Sequence, residues 1–189
     1  MKPVCRAVID VGTNSVKLLV ANVTGSGVEP LLEKSEQTRL GQGFYESHRL
    51  NPALIEHTAR VVAEFTNLAR TWKPVAIRAV ATSAARDAIN QGDLIQAIHR
   101  ASGLMIEVLT GEQEADWVYR GVLSDPDLAP HPVLILDVGG GSTEFVLGNG
   151  PRQLFRQSYG IGSVRLLEQF NLGDPPTPSE WVRCQGFLR

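Results

Sequence analysis

Long hydrophobic runs are absent from this sequence of 189 residues. No stretch approaches the roughly 18 apolar residues that a membrane-spanning helix needs, so no membrane partner is expected. The first residues lead directly into a short strand rather than into the apolar core of a secretory signal, and secretion is therefore not expected either.

Cysteine is scarce, because Cys5 and Cys184 are the only two in the sequence. Neither belongs to a Cys-x-x-Cys motif, which predicts reduced thiols and a cytoplasmic protein. The four histidines are scattered and form no His-x-x-x-His pair, so nothing favours a histidine-based metal site.

An excess of one charge is also missing, since the formal net charge is −2. A protein with this balance has no basic field that would attract a nucleic acid polymer. Any anionic ligand must therefore be bound locally, by loops and by individual arginines.

A glycine-rich segment, residues 133–148, organises the sequence. An apolar run predicts a buried strand, which ends at Asp137 and is followed by three glycines, Ser142 and Thr143. Glycines let a ligand approach the backbone closely, and their N–H groups can surround an anion. The segment predicts a strand–loop–strand that binds phosphate, with Asp137 placed to hold a cation or a water. A tight glycine-rich hairpin without a ligand is the alternative.

A second copy of the same pattern opens the chain. Residues 7–15 form an apolar strand, Asp10, Gly12, and then hydroxyl and amide side chains, and residues 16–20 resume as a strand. Two such hairpins indicate an internal duplication, which predicts two related half-domains that face each other.

The remaining pattern alternates strands and helices, as in an α/β protein. Strands are predicted at 4–10, 15–23 and 28–37, with a turn at 25–27. A long helix is predicted to begin with Asn51 as N-cap and Pro52 at its first position. Further strands are predicted at 75–81 and 105–109, each followed by a helix, and Thr177 or Ser179 is placed to cap a last helix.

Three charged residues follow strands and are candidates for the site. Arg86 could bind a phosphate or belong to a surface charge cluster with its neighbour. Glu114, in the first turn of a helix, could be a catalytic base or could complement the helix dipole. Arg39, in a glycine-containing loop, could face the ligand or the solvent.

The best linker candidate is residues 124–132, which contain three prolines. We therefore predict a first domain at 1–126 and a second domain at 127–189. The second holds fewer strand–helix units than the first, which predicts a truncated second domain with exposed apolar residues Trp181, Phe187 and Leu188.

Five motifs together resemble the exopolyphosphatase / guanosine pentaphosphate phosphohydrolase family. They occur in order and cover most of the chain, at residues 9–15, 38–41, 81–88, 111–115 and 137–144. The resemblance implies an actin-like ATPase / ribonuclease H-like fold with duplicated domains built on mixed five-stranded sheets.

The resemblance also implies hydrolysis of a terminal phosphoanhydride in inorganic polyphosphate or guanosine pentaphosphate, the latter within the stringent response. Glu114 matches the general base of the family. The positions that match phosphate contacts are Asn14, Ser15, Arg86, Gly139, Gly140, Gly141 and Ser142. The acidic positions associated with Mg²⁺ or Mn²⁺ are Asp137, Glu144 and Asp10.

The implied partners are polyphosphate or guanosine penta- and tetraphosphate, and a second copy of the full-length protein in a homodimer. Whether the present chain is active by itself is left open. One alternative is an actin-like or sugar-kinase-like ATP-dependent phosphotransferase, which has the same fold. The other is a non-catalytic module that binds a phosphate chain.

Overall fold

The computed structural model describes residues 2–25 and 27–189. The strands are β1 Val4–Val11, β2 Ser15–Thr24, β3 Gly27–Gln37, β4 Ile77–Ala81, β5 Ile106–Val108, β6 Pro132–Val138, β7 Thr143–Asn149 and β8 Arg152–Tyr159. The helices are α1 Phe44–Ser47, α2 Pro52–Thr71, α3 Ser83–Asp87, α4 Gln91–Ser102, α5 Gly111–Val122, α6 Ser163–Phe170 and α7 Pro178–Phe187. The α/β class is thus as predicted. Of the predicted turn at 25–27, Ser26 lies outside the described residues.

The first sheet is mixed and five-stranded, in the order β3-β2-β1-β4-β5. The first three strands are antiparallel, while β1, β4 and β5 run parallel. Helices α2 and α4 pack against each other over one face, where strand residues such as Ile9 and Leu18 are buried with Val62 and Ile98. This apolar layer fixes the strand ends that carry the predicted site.

Local signals explain how two of the helices begin. The Asn51 side chain accepts a hydrogen bond from the amide of Ala53 at 2.8 Å, so the predicted N-cap is confirmed. Thr177 caps α7, with Glu180 completing a capping box, which confirms one of the two predicted caps.

The second sheet has three antiparallel strands, in the order β6-β7-β8. Helix α5 packs on β7 and β8, where Ala115 and Tyr119 are buried against Val146. Although α5 precedes the predicted boundary between residues 126 and 127, it lies against the second sheet, and the boundary itself stays a prediction.

The two hairpins have the same internal geometry. In the first, the amide of Gly12 donates to the carbonyl of Ser15 at 3.0 Å, and in the second the amide of Gly139 donates to the carbonyl of Ser142 at 2.9 Å. In each half, the strand that follows the hairpin has one extra residue, a β-bulge, at the equivalent place: opposite Val20 and Ala21 in β3, and opposite Leu147 and Gly148 in β8. The duplication inferred from the sequence is therefore visible in the backbone.

The faces of the two sheets differ in what covers them. In the second sheet the apolar residues on the face opposite α5 are exposed, and they are Leu134, Leu136, Val138, Phe145 and Leu147. Their equivalents in the first hairpin are buried under α2 and α4.

The side chains of Trp181, Phe187 and Leu188 are also exposed, as the sequence predicts. No helix among the described residues combines the length and the apolar character that crossing a membrane requires.

A substitution at Gly148 tests how α5 packs on the second sheet. A methyl group there would collide with the ring of Tyr119, which is buried and donates a hydrogen bond to the carbonyl of Gly150 at 2.7 Å. We expect Gly148→Ala to lower the free energy of unfolding by about 1–3 kcal/mol, measured by urea denaturation, because overpacking displaces a buried side chain. The control is Gly121→Ala in α5, where an added methyl group meets open space. It should be neutral or stabilising, and equal losses from both variants would contradict this packing.

Candidate active site

A polar cleft of about 280 Å³ lies where the loops after β1 and β6 face each other. Its lining contains all of the predicted site residues except Arg86, and the other residues of the lining are Gly12, Thr13, Lys17, Thr82, Ser83, Val138 and Ser163. The two loops predicted to bind phosphate thus share one cleft. The roles predicted for the individual residues stay predictions.

The two loops touch at the triple glycine. A methyl group on Gly141 would lie 2.7 Å from Oγ1 of Thr13, and one on Gly140 would lie 3.1 Å from the Thr13 Cβ. A contact of 2.7 Å is shorter than real Cβ atoms make, so a larger residue at Gly141 would displace Thr13, whereas one at Gly140 would need a shift of a few tenths of an ångström. Gly141 is therefore the position at which the close approach of the two loops most strongly favours glycine.

Helix α6 orients the backbone of the triple glycine. The amides of Ser163 and Val164 donate to the first two glycine carbonyls at 3.0 and 2.9 Å, and Nε of Arg165 donates to the third at 2.9 Å. Within the described residues, the amides of Gly140 and Gly141 have no hydrogen-bond partner. Because all three carbonyls are held by α6, these amides are available to an anion, as a phosphate cradle requires.

Backbone contacts with residues 38–43 support the first loop. The carbonyls of Thr13 and Asn14 accept from the amides of Gly41 and Arg39 at 2.8 and 2.9 Å. Arg39 is exposed and, together with Asn14, lines a neighbouring cavity of about 400 Å³. The ligand and solvent alternatives for its side chain both remain open.

Glu114 enters the cleft from the first turn of α5, whose start is fixed by a capping box between Thr110 and Gln113. Only 16 % of its side chain is exposed, and Oε2 accepts a hydrogen bond from Nη1 of Arg86 at 2.9 Å. Burial raises the pKa of the Glu114 carboxyl from 4.5 to about 7, since the hydrogen bond from Arg86 offsets it only in part and the nearby Glu144 adds to it. A carboxyl with this pKa can accept a proton near neutral pH.

Arg86 does not line the cleft. Its guanidinium donates to Glu114 and to the carbonyl of Leu109 at 3.1 Å, and its Nε lies 3.8 Å from Asp87. The structure therefore shows Arg86 holding the proposed base, while its predicted contact with phosphate remains a prediction.

The three acidic residues predicted to bind a metal have different surroundings. Oδ1 of Asp10 is buried and has no hydrogen-bond partner among the described residues, and burial raises the pKa of its carboxyl against the opposing charge of Lys17. Glu144 is 1 % exposed and accepts from Oγ of Ser158 at 2.7 Å, whereas Asp137 is exposed. In the described part of the chain, no three His, Cys, Asp or Glu side chains are grouped closely enough to hold a metal by themselves.

Comparison with known proteins identifies the relationship. The model of the Ppx/GppA phosphatase family matches residues 19–189. The chain belongs to this family. The predicted resemblance is thereby confirmed.

Relatives in the Ppx/GppA family include exopolyphosphatase 2 of Mycobacterium tuberculosis, 37 % identical over 97 % of this chain and 60 % of the relative. A solved Ppx/GppA enzyme of Aquifex aeolicus is 38 % identical with a TM-score of 0.79, over 99 % of this chain and 62 % of the other. An exopolyphosphatase of Cytophaga hutchinsonii is 30 % identical with a TM-score of 0.87, over 95 % of this chain and 57 % of the other. The chain thus spans about 60 % of the length of the relatives it matches.

Several cleft residues are not among those that sequence reasoning selected. Thr13, Thr82 and Ser83 lie inside the family motifs, next to residues that were selected. Lys17 pairs with Asp10 across β1 and β2. Its position on the same face as Asp10 follows from the strand alternation, which could have identified it as a cation of the cleft.

The raised pKa of Glu114 has a consequence for stability. Because the folded pKa of about 7 exceeds the ordinary 4.5, the folded state binds more protons between these values, and stability falls as pH rises through 7. We expect Glu114→Gln to stabilise the protein relative to wild type at pH 8 more than at pH 5. The difference should be at most about 3 kcal/mol, measured by thermal unfolding.

The control for this measurement is Glu112→Gln, in the same helical turn, where 76 % of the side chain is exposed. It should show no such pH dependence. A stability difference for Glu114→Gln that is the same at both pH values would contradict the perturbed pKa.

Proposed function

We propose that this chain acts in the hydrolysis of a terminal phosphoanhydride bond, releasing phosphate from inorganic polyphosphate or from guanosine pentaphosphate. One observation carries the proposal: Glu114, a carboxyl with a pKa of about 7, lines the same cleft as both glycine loops. The names of the relatives, which are exopolyphosphatases, support a polyphosphate substrate.

In the proposed reaction Glu114 accepts a proton from water as the water oxygen attacks the terminal phosphorus. The bond from phosphorus to the bridging oxygen breaks, and the shortened chain leaves with the electron pair. Arg86 fixes the orientation of the carboxylate through its 2.9 Å hydrogen bond. Phosphoryl transfer depends mainly on positioning and charge neutralisation, which suits a site built largely from backbone amides.

The charges that line the cleft are mostly negative. Among the described residues that line it, four carry carboxyl groups and one, Lys17, is a cation. The carboxyl groups belong to Asp10, Glu114, Asp137 and Glu144. A polyanionic substrate therefore needs more positive charge than these side chains supply, and the amides of Gly140 and Gly141 provide only part of it.

A divalent cation, Mg²⁺ or Mn²⁺, is the proposed source of that charge. Mg²⁺ is usually bound by one or two carboxylates together with waters and substrate phosphates, so it does not need three protein ligands. The buried, unpaired Oδ1 of Asp10 fits such a role, and Asp137 and Glu144 are the further candidates. When bound, the ion would neutralise the phosphate oxygens.

We further propose a cytoplasmic protein that forms a homodimer in its full-length form. With guanosine pentaphosphate as substrate, guanosine tetraphosphate would be the product and the protein would belong to the stringent response.

Glu114→Gln tests the assignment of the base. It should lower the rate of phosphate release about 10²–10⁴-fold, because Gln cannot accept the proton, while polyphosphate binding is retained. Release would be measured with Mg²⁺, side by side from polyphosphate and guanosine pentaphosphate, on this chain and on any longer polypeptide that contains it. Glu112→Gln is the matched control and should turn over normally.

Other outcomes of the same assay would overturn the proposal. Turnover by Glu114→Gln at a rate near that of wild type would remove the base from the mechanism. Transfer of phosphate from ATP to an acceptor, with no release from polyphosphate, would indicate a phosphotransferase. Tight binding without turnover by the wild type would indicate a binding module.

The pH dependence gives an independent test of the same carboxyl. Since Glu114 acts in its deprotonated form, the rate of phosphate release should rise with pH to a plateau, with a midpoint near 7. An activity that is flat between pH 5.5 and pH 8.5, which are about 1.5 units on either side of that midpoint, would show that another group limits the rate.

A further inference from the structure

Helix α3 ends with two adjacent side chains of opposite charge, which contact two different helices, α5 and α6. Nη1 of Arg86 lies 2.9 Å from Oε2 of Glu114 in α5. Oδ2 of Asp87 lies 2.6 Å from Nη2 of Arg165 in α6. The positively charged Arg86 thus meets a negative residue of α5, and the negatively charged Asp87 meets a positive residue of α6.

Arg165 is held on three sides. Besides the pair with Asp87, its Nε donates to the carbonyl of Gly141 at 2.9 Å, and its guanidinium stacks over the ring of Tyr45 at 4.6 Å. Only 20 % of its side chain is exposed. An arginine fixed by a charge pair, a carbonyl and an aromatic ring loses little further freedom, so this contact is stronger than an exposed ion pair.

Helix α6 makes a second contact with the first half of the chain, at residues 43–45. Glu168, one turn after Arg165, accepts hydrogen bonds from the amides of Gly43 and Tyr45 at 2.7 and 3.4 Å. Helix α6 thus binds the first half at two points while its N-terminal turn holds the triple glycine.

We propose that Asp87 and Arg165 are a positioning pair that sets the separation between the two phosphate loops. Neither residue lines the cleft, so both would act through others. Asp87 anchors Arg165, and Arg165 fixes the carbonyl of Gly141, so that the cradle amides stay opposite the first loop. This inference rests on the proposed function.

Asp87 also connects the loop with the proposed base. Its Oδ1 lies 3.8 Å from Nε of Arg86, and Arg86 in turn binds Glu114. The four side chains therefore form a row of alternating charge, in the order Arg165, Asp87, Arg86 and Glu114. The cradle and the base are held by adjacent residues of a single helical turn, which ties their relative position to α3.

The kinetic test uses Asp87→Asn, Arg165→Met and the double variant, with polyphosphate as substrate. Each single variant should lower kcat about 10–100-fold and change KM less than about 3-fold, because attack geometry is more sensitive to a small displacement than binding is. The double variant should be no slower than the slower single variant, since both changes remove one bridge. Additive losses, or no loss in either variant, would overturn the proposal.

Hydrogen exchange gives a readout that does not need activity. In both single variants the amides of Gly139, Ser163 and Val164, whose hydrogen bonds hold the triple glycine, should exchange roughly 10-fold faster, with β6 unchanged. The control is the exposed pair between Arg100 and Glu56, 3.5 Å apart, where Arg100→Met and Glu56→Gln should change nothing. If the wild type releases no phosphate, the proposed function fails, and exchange at the loop still decides whether the pair positions it. Unchanged exchange at Gly139, Ser163 and Val164 would overturn the positioning role of the pair.

Discussion

The close approach of two backbone loops is the constraint on which the rest of the structure depends. The triple glycine packs directly on the side chain of Thr13, and a methyl group on Gly141 would lie only 2.7 Å from the Thr13 Oγ1. Because glycine carries only a hydrogen at that position, the loops that follow β1 and β6 can line one small cleft. The two sheets, and the helices that bury them, place these loops at their strand ends.

Orientation of the amides is a second requirement, and it is met by helix α6 rather than by the loop itself. A glycine loop has no intrinsic preference for which way its peptides face. The first turn of α6 and the side chain of Arg165 bind the three carbonyls, so the N–H groups of Gly140 and Gly141 stay available to an anion. Two charge pairs through Arg86 and Asp87 connect α3 with α5 and α6, so that Glu114 and the triple glycine share one support.

The duplication explains both the likeness and the asymmetry of the halves. Equivalent hydrogen bonds and equivalent bulges show two copies of one motif. The copies differ in charge at one position, because the strand partner of Asp10 is Lys17, whereas the strand partner of Asp137 is Glu144. One wall of the cleft is therefore cationic at the position where the other is anionic. A phosphate chain bound between them would meet different charges on its two sides. The pKa of Glu114 is raised first by burial and further by the neighbouring Glu144.

The sequence by itself determined the α/β class, the two loops, the family and most of the residues that line the cleft, because strand ends, glycines and caps are encoded by neighbouring residues. Only the tertiary structure decided which contacts those residues make. Arg86 binds Glu114, and α5 lies on the second sheet. Lys17 lines the cleft, while Arg165 binds the triple glycine from outside it. These outcomes depend on residues far apart in the chain, since the position of a helix between two sheets is set by packing and not by its own sequence pattern.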